Sequence, residues 1–323
     1  MVGKLTPDNM LSASRTPALL GLSPHTTQNE LLAEMVAHDL GHEPANKFYG
    51  NEATGWGDTL EPVILKEACR RLGIVEANID VDEPFFHDSI HLAASLDGMG
   101  KGVHNQLTDA SQGIYCPQGG PVEIAGKWGC LEAKLTSAAP EDQPPPWRGP
   151  VQLQAQMMVT GFEWGVVAVL YRGIELRLFV YQADPEMQKR IADAVNEFEA
   201  RRVNGDKYPV VSSEDGNHAY SRVDDGAEPI DLGAMQGANQ LVIALRDAKD
   251  KKAEAEAEIN DAEAGLKELM GEHEEAFTTV GLTEYRVKWP MRRTRAQPEK
   301  VVPAKPETFK RQNTLTLKAI KSE

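Results

Sequence analysis

The chain has 323 residues, of which 41% are hydrophobic and 26% are charged, and this composition is typical of a globular protein. No apolar run is long enough to cross a bilayer, and the start MVGKLTPDNM lacks the apolar core of a signal peptide. We therefore expect a cytoplasmic protein without a membrane partner. Three scattered cysteines are too few for a disulfide framework or a zinc site, so reduced, mostly buried thiols are expected.

The net charge of −15 is distributed unevenly along the chain. Residues 285–323 contain 11 Lys and Arg but only 3 Asp and Glu, a net charge of +8, so the remainder carries −23. An acidic body with a basic tail is the asymmetry expected of an arm that binds nucleic acid or an acidic partner. On charge alone, a solvated tail that binds nothing is equally consistent.

The first predicted element in chain order follows Ser12, Ser14 and Arg15, which stand just before an apolar run that ends at a glycine turn. Hydroxyls near a helix start ordinarily cap it. Together with the guanidinium of Arg15, they are also suited to holding a phosphate. Residues 27–40 then predict an amphipathic helix, because apolar residues recur there at helical spacing.

A second helix is predicted from Gly57 to a closing Gly73, with Val63 among the residues of its apolar face. In this prediction Glu61 precedes Pro62 in the first turn, where the helix dipole favours a carboxylate. Glu61 has a functional alternative, which is to face a cleft that is lined by other acids.

A short strand with alternating apolar residues from Ile90 to Ala94 is predicted to end at Asp97 and Gly98. An acid before glycine at a strand end is often only a turn former. The same position at the edge of a sheet suits an active-site carboxylate. Residues 100–127, which are rich in glycine and without periodicity, predict a loop or an irregular hairpin.

The segment WGCLEAKLTS, residues 128–137, predicts a strand with Leu131, Ala133 and Leu135 on one side and Glu132 and Lys134 on the other. An acid and an ammonium side by side at a solvent-facing sheet surface suit phosphodiester chemistry, in which the acid holds a divalent metal and the lysine steers or helps to deprotonate the attacking water. Taken alone, this spacing is more typical of an ordinary solvated strand face.

Prolines in residues 140–150 predict a rigid loop, tipped by Trp147 and Arg148, that lines a substrate entrance or is an ordinary surface loop. The following helix, residues 151–161, carries Gln152 and Gln156 on one face. Two strands joined by a turn at Arg172 and Gly173 come next, and a polar helix is predicted for residues 185–204.

Residues 205–233 are rich in Gly, Asp and Ser and predict a linker. Beyond it, ten residues follow one another at alternating steps of four and three, which is a heptad seam. Its weak middle, with Lys252 and several alanines, predicts a helical hairpin or arm rather than a strong autonomous zipper. A strand, EYRVKW, is predicted inside the basic tail. The seam consists of Leu241, Leu245, Ala248, Lys252, Ala255, Ile259, Ala262, Leu266, Leu269 and His273.

Five motifs follow one another in an order that is more specific than any one of them: SASR at 12–15, GDTLEP at 57–62, SLDG at 95–98, LEAK at 131–134 and VQLQAQMMVTG at 151–161. In this order the chain resembles the PD-(D/E)xK nuclease superfamily and, within it, the lambda-exonuclease or YqaJ-like viral recombinase family. The resemblance covers roughly residues 10–200 and implies an α/β, restriction-endonuclease-like core with a central mixed sheet flanked by helices.

The resemblance also implies a metal site. Asp97 and Glu132 would bind Mg²⁺, or Mn²⁺ as a substitute, with help from the main-chain carbonyl of Ala133. Glu61 would complete the carboxylate cluster directly or through water. The sequence departs from the family in having leucine before Asp97, where proline is common, and a small residue at Ala133; neither departure removes a ligand.

The remaining implied roles concern catalysis and substrate. Lys134 would orient and activate the attacking water, and Gln152 would contact the metal site or the scissile strand. Ser14, with Arg15, matches the family's position for holding a terminal 5′ phosphate. Trp147 and Arg148 are expected to contact DNA, because the rigid loop that carries them could line the substrate entrance.

We accordingly divide the chain into a PD-(D/E)xK nuclease core (1–204), a linker (205–233), a long-helix, coiled-coil arm (234–280) and a basic C-terminal segment (281–323). The expected function is that of a Mg²⁺-dependent 5′-to-3′ exonuclease of phage-type recombination in a bacterial host. It would act on duplex DNA ends, as a homo-oligomer, and hand single strands to an annealing protein. The alternatives are an endonuclease or single-strand nuclease of the same fold, or a non-catalytic DNA-binding scaffold.

Overall fold

The computed structural model describes residues 6–7, 9–42, 50–220 and 228–291. It divides the chain into two compact units, Met1–Ser221 and Arg222–Glu323. No helix within the described residues is both long and apolar enough to span a bilayer.

The first unit mixes helices and strands. Its helices are α1 (Thr16–Leu19), α2 (Gln28–Asp39), α3 (Glu52–Leu72), α4 (Pro150–Thr160), α5 (Pro185–Asn204) and α6 (Ser213–Ala219), with a 3-10 turn at Ala13–Arg15. Its strands are β1 (Leu11–Ser12), β2 (Glu76–Asn78), β3 (Phe85–Phe86), β4 (Leu92–Ala94), β5 (Gly98–Lys101), β6 (Ile114–Tyr115), β7 (Trp128–Thr136), β8 (Trp164–Tyr171) and β9 (Glu175–Gln182).

Six of these strands form a mixed central sheet in the order β2-β5-β7-β8-β9-β6. β7 runs parallel to β8, whereas β5 and β7 are antiparallel. Apolar side chains of α3, such as Leu72, pack with Leu131 and Val166 against one face of the sheet. The other face carries Val167 and packs against α4 and α5. The predicted mixed sheet with flanking helices is thus confirmed for the first unit.

The second predicted helix starts earlier than its apolar pattern suggests. α3 begins at Glu52, because Asn51 and Thr54 form a reciprocal capping box there, and it ends as predicted before Gly73, which is left-handed. Glu61 is therefore in the helix interior, followed by Pro62, and its predicted place in the first turn is wrong. Val63 is 59% exposed, so it does not belong to the buried face.

The strand that was predicted to end at Asp97 ends at Ala94 instead, and all three residues of β4 are buried rather than alternating. Asp97 lies directly before β5, at the start of the next strand. Residues 100–101 of the predicted irregular region therefore belong to the regular strand β5, which pairs with β7. Both faces of β4 are covered by packed elements, which removes the alternation that would identify a half-buried strand.

Residues 205–219, which were predicted to begin a linker, pack on α2. Asp215 of α6 is buried and accepts hydrogen bonds from Thr27 and from Asn29, the latter at 3.0 Å. The Asn29 side-chain amide also donates to the main-chain carbonyl of Tyr208 and accepts from the main-chain N–H of Tyr208. The linker therefore does not begin at residue 205. The low apolar content of this segment gave no sign in the sequence of its small polar contact with the core.

The second unit contains a 3-10 turn at Leu232–Ala234, the long helix α7 (Ala238–Met270) and an antiparallel hairpin of β10 (Glu275–Val280) and β11 (Thr283–Lys288). The helix matches the heptad seam up to Leu269, but His273 lies beyond its end. Residues 275–280 are strand, so the predicted arm is not helical to residue 280. β11 coincides with the predicted strand EYRVKW, whereas residues 292–323 of the basic tail lie outside the described residues.

Candidate active site

The strand β7 places Glu132 and Lys134 side by side, as its two-residue period requires. Lys134 Nζ donates a hydrogen bond to Glu132 Oε1. Glu132 is completely buried, whereas 30% of the Lys134 side chain is exposed. The expectation that both charges face solvent is therefore wrong for Glu132, because α4 covers that face of the sheet.

The helix α4 supplies two further partners of the Glu132 carboxylate. Gln152 Nε2 donates to Oε1 at 2.7 Å, and Gln156 Nε2 donates to Oε2 at 2.6 Å. The helix approaches closely because Gly149 precedes it: a Cβ there would lie 2.6 Å from Val167 Cγ1. Gln156 is fully buried. Its i,i+4 spacing from Gln152 was visible in the sequence, but no role was predicted for it.

Asp97 joins this site through the edge of β5. The β5–β7 register pairs Gly98 with Leu131, so one further step brings Asp97 beside Glu132. The main-chain N–H of Ala133 donates to Asp97 Oδ2 at 2.8 Å. Burial, and next the negative charge of Glu132, raise the pKa of Asp97 well above its usual value. The carboxylate form of Asp97 is therefore destabilised unless a positive charge compensates it.

The pKa values of Glu61 and Lys134 are also shifted by burial and by the neighbouring charges. Burial and the nearby Glu132 raise the pKa of Glu61, which projects from the interior of α3. Burial by itself lowers the pKa of Lys134, but Glu132 and Asp97, with a contribution from Glu61, outweigh it and raise the pKa above its usual value. Lys134 is therefore a positively charged ammonium at neutral pH.

The donor set fits a divalent, oxygen-seeking cation. With all groups ionised, three carboxylates and one ammonium leave two uncompensated negative charges. Glu132 Oε2 accepts a hydrogen bond only from Gln156 among the described residues, so it retains a lone pair. Within these residues, no three His, Cys, Asp or Glu side chains already converge as a metal-binding group. The charge and ligand chemistry, rather than a converged ligand cage, support the fit.

The candidate phosphate-binding residues meet in a different place. Ser14, Arg15 and Trp147 line one cleft of about 220 Å³, together with His25 and Glu34. Arg15 forms an ion pair with Glu34 and directs its other terminal nitrogen to Met35 Sδ at 2.9 Å. The sequence indicated no partner for Arg15, because Glu34 lies on the next helix. The cleft thus contains one guanidinium that is already neutralised.

Arg148 is held by neighbours in its own loop and sheet. It forms an ion pair with Glu141, which also accepts a hydrogen bond from Tyr171 Oη at 3.2 Å. The guanidinium carbon lies 4.7 Å from the centre of the Trp147 ring. Only 14% of the Arg148 side chain is exposed. In this arrangement Arg148 supports Trp147 and is not among the residues that line the cleft.

Part of the first unit matches a known family model. Residues 7–163 match the family model described as "YqaJ-like viral recombinase domain". A search of curated proteins found no match. Among solved structures, the alkaline exonuclease LHK-Exo of Laribacter hongkongensis is similar at 18% identity over 61% of this chain and 89% of that chain, with a TM-score of 0.43.

A phage-related exonuclease from Haemophilus somnus 129PT is similar at 12% identity over 61% of this chain and 96% of that chain, with a TM-score of 0.39. The family match contains the residues around which the site is built, from Ser14 through Asp97, Glu132 and Lys134 to Gln156. Residues 7–163, just under half of the chain, thus match the YqaJ-like viral recombinase domain.

Proposed function

We propose that the protein is a Mg²⁺-dependent deoxyribonuclease that degrades one strand of duplex DNA from its 5′ end. The observation that carries this proposal is the buried Glu132 carboxylate, which is held by Lys134, Gln152 and Gln156 beside the second acid Asp97. A purely structural site has no use for several acids around one lysine, because each buried charge costs free energy.

The metal would be held by Asp97 and Glu132, by the carbonyl of Ala133 and by Glu61. Bound there, Mg²⁺ or Mn²⁺ would supply Lewis-acid polarisation of a phosphodiester and a lowered pKa for a water molecule. The residues of the chain prepare the site before any metal binds. Gln156 and Gln152 each fix one oxygen of the Glu132 carboxylate, so its orientation is set in advance.

Lys134 orients the attacking water and stabilises negative charge. Its raised pKa keeps it protonated, so it donates hydrogen bonds to water or to a phosphate oxygen. Its partly exposed position lets it reach a substrate while Glu132 holds its Nζ. Gln152, which is only partly buried, is placed to contact either the carboxylate or the scissile strand.

The cleft of Ser14, Arg15 and Trp147 would hold the 5′ terminal phosphate and its first nucleotide. A hydroxyl, a guanidinium and an aromatic ring are the groups that bind a phosphate and stack on a base. Arg148 acts through the position of Trp147. We further propose that the protein works as a homo-oligomer in phage-type recombination and passes single-stranded DNA to an annealing protein.

The test incubates the purified chain with linear duplex DNA labelled at one 5′ or one 3′ end, with and without a 5′ phosphate. Mg²⁺ should support release of nucleotides from the phosphorylated 5′ end. Ca²⁺ should support binding without cleavage, because its looser coordination geometry activates water poorly. Full activity in excess EDTA contradicts the metal mechanism. Cleavage of a covalently closed circle shows an endonuclease instead, and binding without cleavage in Mg²⁺ or Mn²⁺ shows a scaffold.

A further inference from the structure

The long helix α7 presents an apolar seam that the described residues of its own unit, 228–291, leave uncovered. Leu241 is 73% exposed, Ile259 58% and Leu269 85%. A helix of 33 residues with exposed apolar side chains at heptad spacing ordinarily buries them against another helix. The side-chain sizes and the charges along α7 indicate which helix covers the seam.

The seam consists of two rows that alternate along the helix. One row is formed by Leu241, Ala248, Ala255, Ala262 and Leu269. The other row is formed by Leu245, Lys252, Ile259 and Leu266. The first row is therefore small through its middle three positions, whereas the second row is large at every position. This difference makes the two directions of self-pairing unequal.

In a parallel, in-register pair, each row faces the same row of the partner. Alanine would then face alanine at three layers, leaving little apolar contact, and Lys252 would face a second Lys252. In an antiparallel pair the two rows face each other. Leu245 then lies opposite Ala262 and Lys252 opposite Ala255, so large and small side chains interdigitate. The sizes along the seam favour the antiparallel arrangement.

The charges that flank the seam give the same answer independently. Lys249 and Lys251 border its first half, and Glu256, Glu258 and Glu263 border its second half. An antiparallel partner brings the basic half of one helix alongside the acidic half of the other. Since flanking charges set the orientation of coiled helices, this complementarity points to a second copy of the same helix.

We propose that α7 is the surface through which two copies of this chain associate, as an antiparallel helix pair with Lys251 near the partner's acidic half. The pair places Leu241 of each copy opposite Leu266 of the other. The proposal concerns the second unit alone and does not depend on nuclease activity. It assigns a location and a direction to the self-association that the sequence only suggested.

Cysteine crosslinking of the full-length chain tests the direction. The native thiols Cys69, Cys116 and Cys130 are buried, so cysteines introduced on α7 should react selectively. The double variant Leu241→Cys/Leu266→Cys should form disulfide-linked dimers, whereas either single variant should remain monomeric on a non-reducing gel. Dimers of the single Leu241→Cys variant show a parallel pair and overturn the proposal, as does the absence of any crosslink in the double variant.

Charge reversal tests the proposed partner. Lys249→Glu/Lys251→Glu and Glu256→Lys/Glu258→Lys should each lower the mass of the assembly measured by light scattering, and mixing the two variants should restore it. Glu254→Lys/Asp261→Lys, which reverses two charges away from the seam, is the matched control and should keep the wild-type mass. Circular dichroism checks that each helix still forms. A monomeric wild-type chain at micromolar concentration, or masses that no variant alters, contradicts the proposal.

Discussion

Two charged clusters of the first unit differ in how their charges balance. Beside β7, the carboxylates of Glu61, Asp97 and Glu132 surround the single ammonium of Lys134. In the cleft near the N-terminus, Arg15 faces Glu34, one charge against one. Uncompensated charge that is removed from water costs free energy, so the first cluster has an excess of negative charge that a proton on Asp97 or a bound cation would compensate. The second is balanced by itself, and under the proposed function its ion pair would have to open for Arg15 to bind phosphate.

The largest expected effect comes from Lys134→Ala, which removes the only positive charge that the described residues place in the acid-rich cluster. Loss of a group that stabilises developing charge typically lowers kcat by about 10²- to 10³-fold. We expect at least that loss in initial rates on a 5′-phosphorylated duplex at saturating Mg²⁺. Glu132→Gln should be similarly inactive, since it removes a proposed ligand. Near wild-type turnover of either variant at saturating metal means that the site has been assigned wrongly.

Gln156→Leu should be the next largest change, because it leaves a buried carboxylate oxygen of Glu132 without its amide donor. Such an unpaired buried group costs about 1 to 3 kcal/mol, and more when it is charged. The free energy of unfolding, measured in urea, should fall by that amount. Gln152→Leu, at a partly exposed position on the same helix, is the control and should lose less. Equal losses in the two variants would show that burial of Gln156 does not matter.

Asp97→Asn should stabilise the protein in the absence of metal, and the gain should grow with pH. Burial and Glu132 raise the pKa of Asp97, so the folded chain retains this proton to a higher pH than the unfolded chain does. Wild-type stability therefore falls as the pH rises from the unfolded pKa through the folded one. The variant lacks this loss.

Melting temperatures in EDTA, measured from about pH 4 to pH 8, test this, since an unperturbed Asp titrates near 3.9. The difference between Asp97→Asn and wild type should be small at the acidic end and largest at the alkaline end. Asp82→Asn, at an exposed position, is the control and should show no such trend. Added Mg²⁺ should raise the melting temperature of wild type more than that of Asp97→Asn. A pH-independent difference contradicts the account.

The smallest effect is expected from Glu34→Gln, which frees Arg15 in the balanced cleft. Because Glu34 is 37% exposed, solvent screens the pair, and a gain of about three- to tenfold in apparent affinity for a 5′ phosphate is expected. The measurement is KM on duplexes with and without that phosphate. Glu30→Gln, on the same helix, is the charge-matched control. A preference that is unchanged by Glu34→Gln means that Arg15 does not hold the phosphate.

Much of the framework follows from the sequence by itself, because it depends on local geometry. The period of two in β7 places Glu132 and Lys134 on one side, and Gly73 ends α3 as a left-handed residue should. The sequence also contains the signal for the start of α3, since Asn51 and Thr54 form their capping box within one turn. The apolar pattern of the helix begins only later, so it predicts a later start. These features can be predicted without knowing any contact between residues that are distant in sequence.

Only the tertiary structure decided which polar residues are buried and paired. Gln156 reaches Glu132 across 24 residues of sequence, and Asp97 reaches the main chain of Ala133 across 36. The side of β7 that carries the two charges looks solvent-facing until α4 covers it. A strand's period states which side chains share a face, but the elements packed on that face determine its solvent exposure. Burial raises the pKa of Asp97, and the acids that packing places around Lys134 keep its pKa above the usual value, so tertiary packing determines the chemistry that the site can perform.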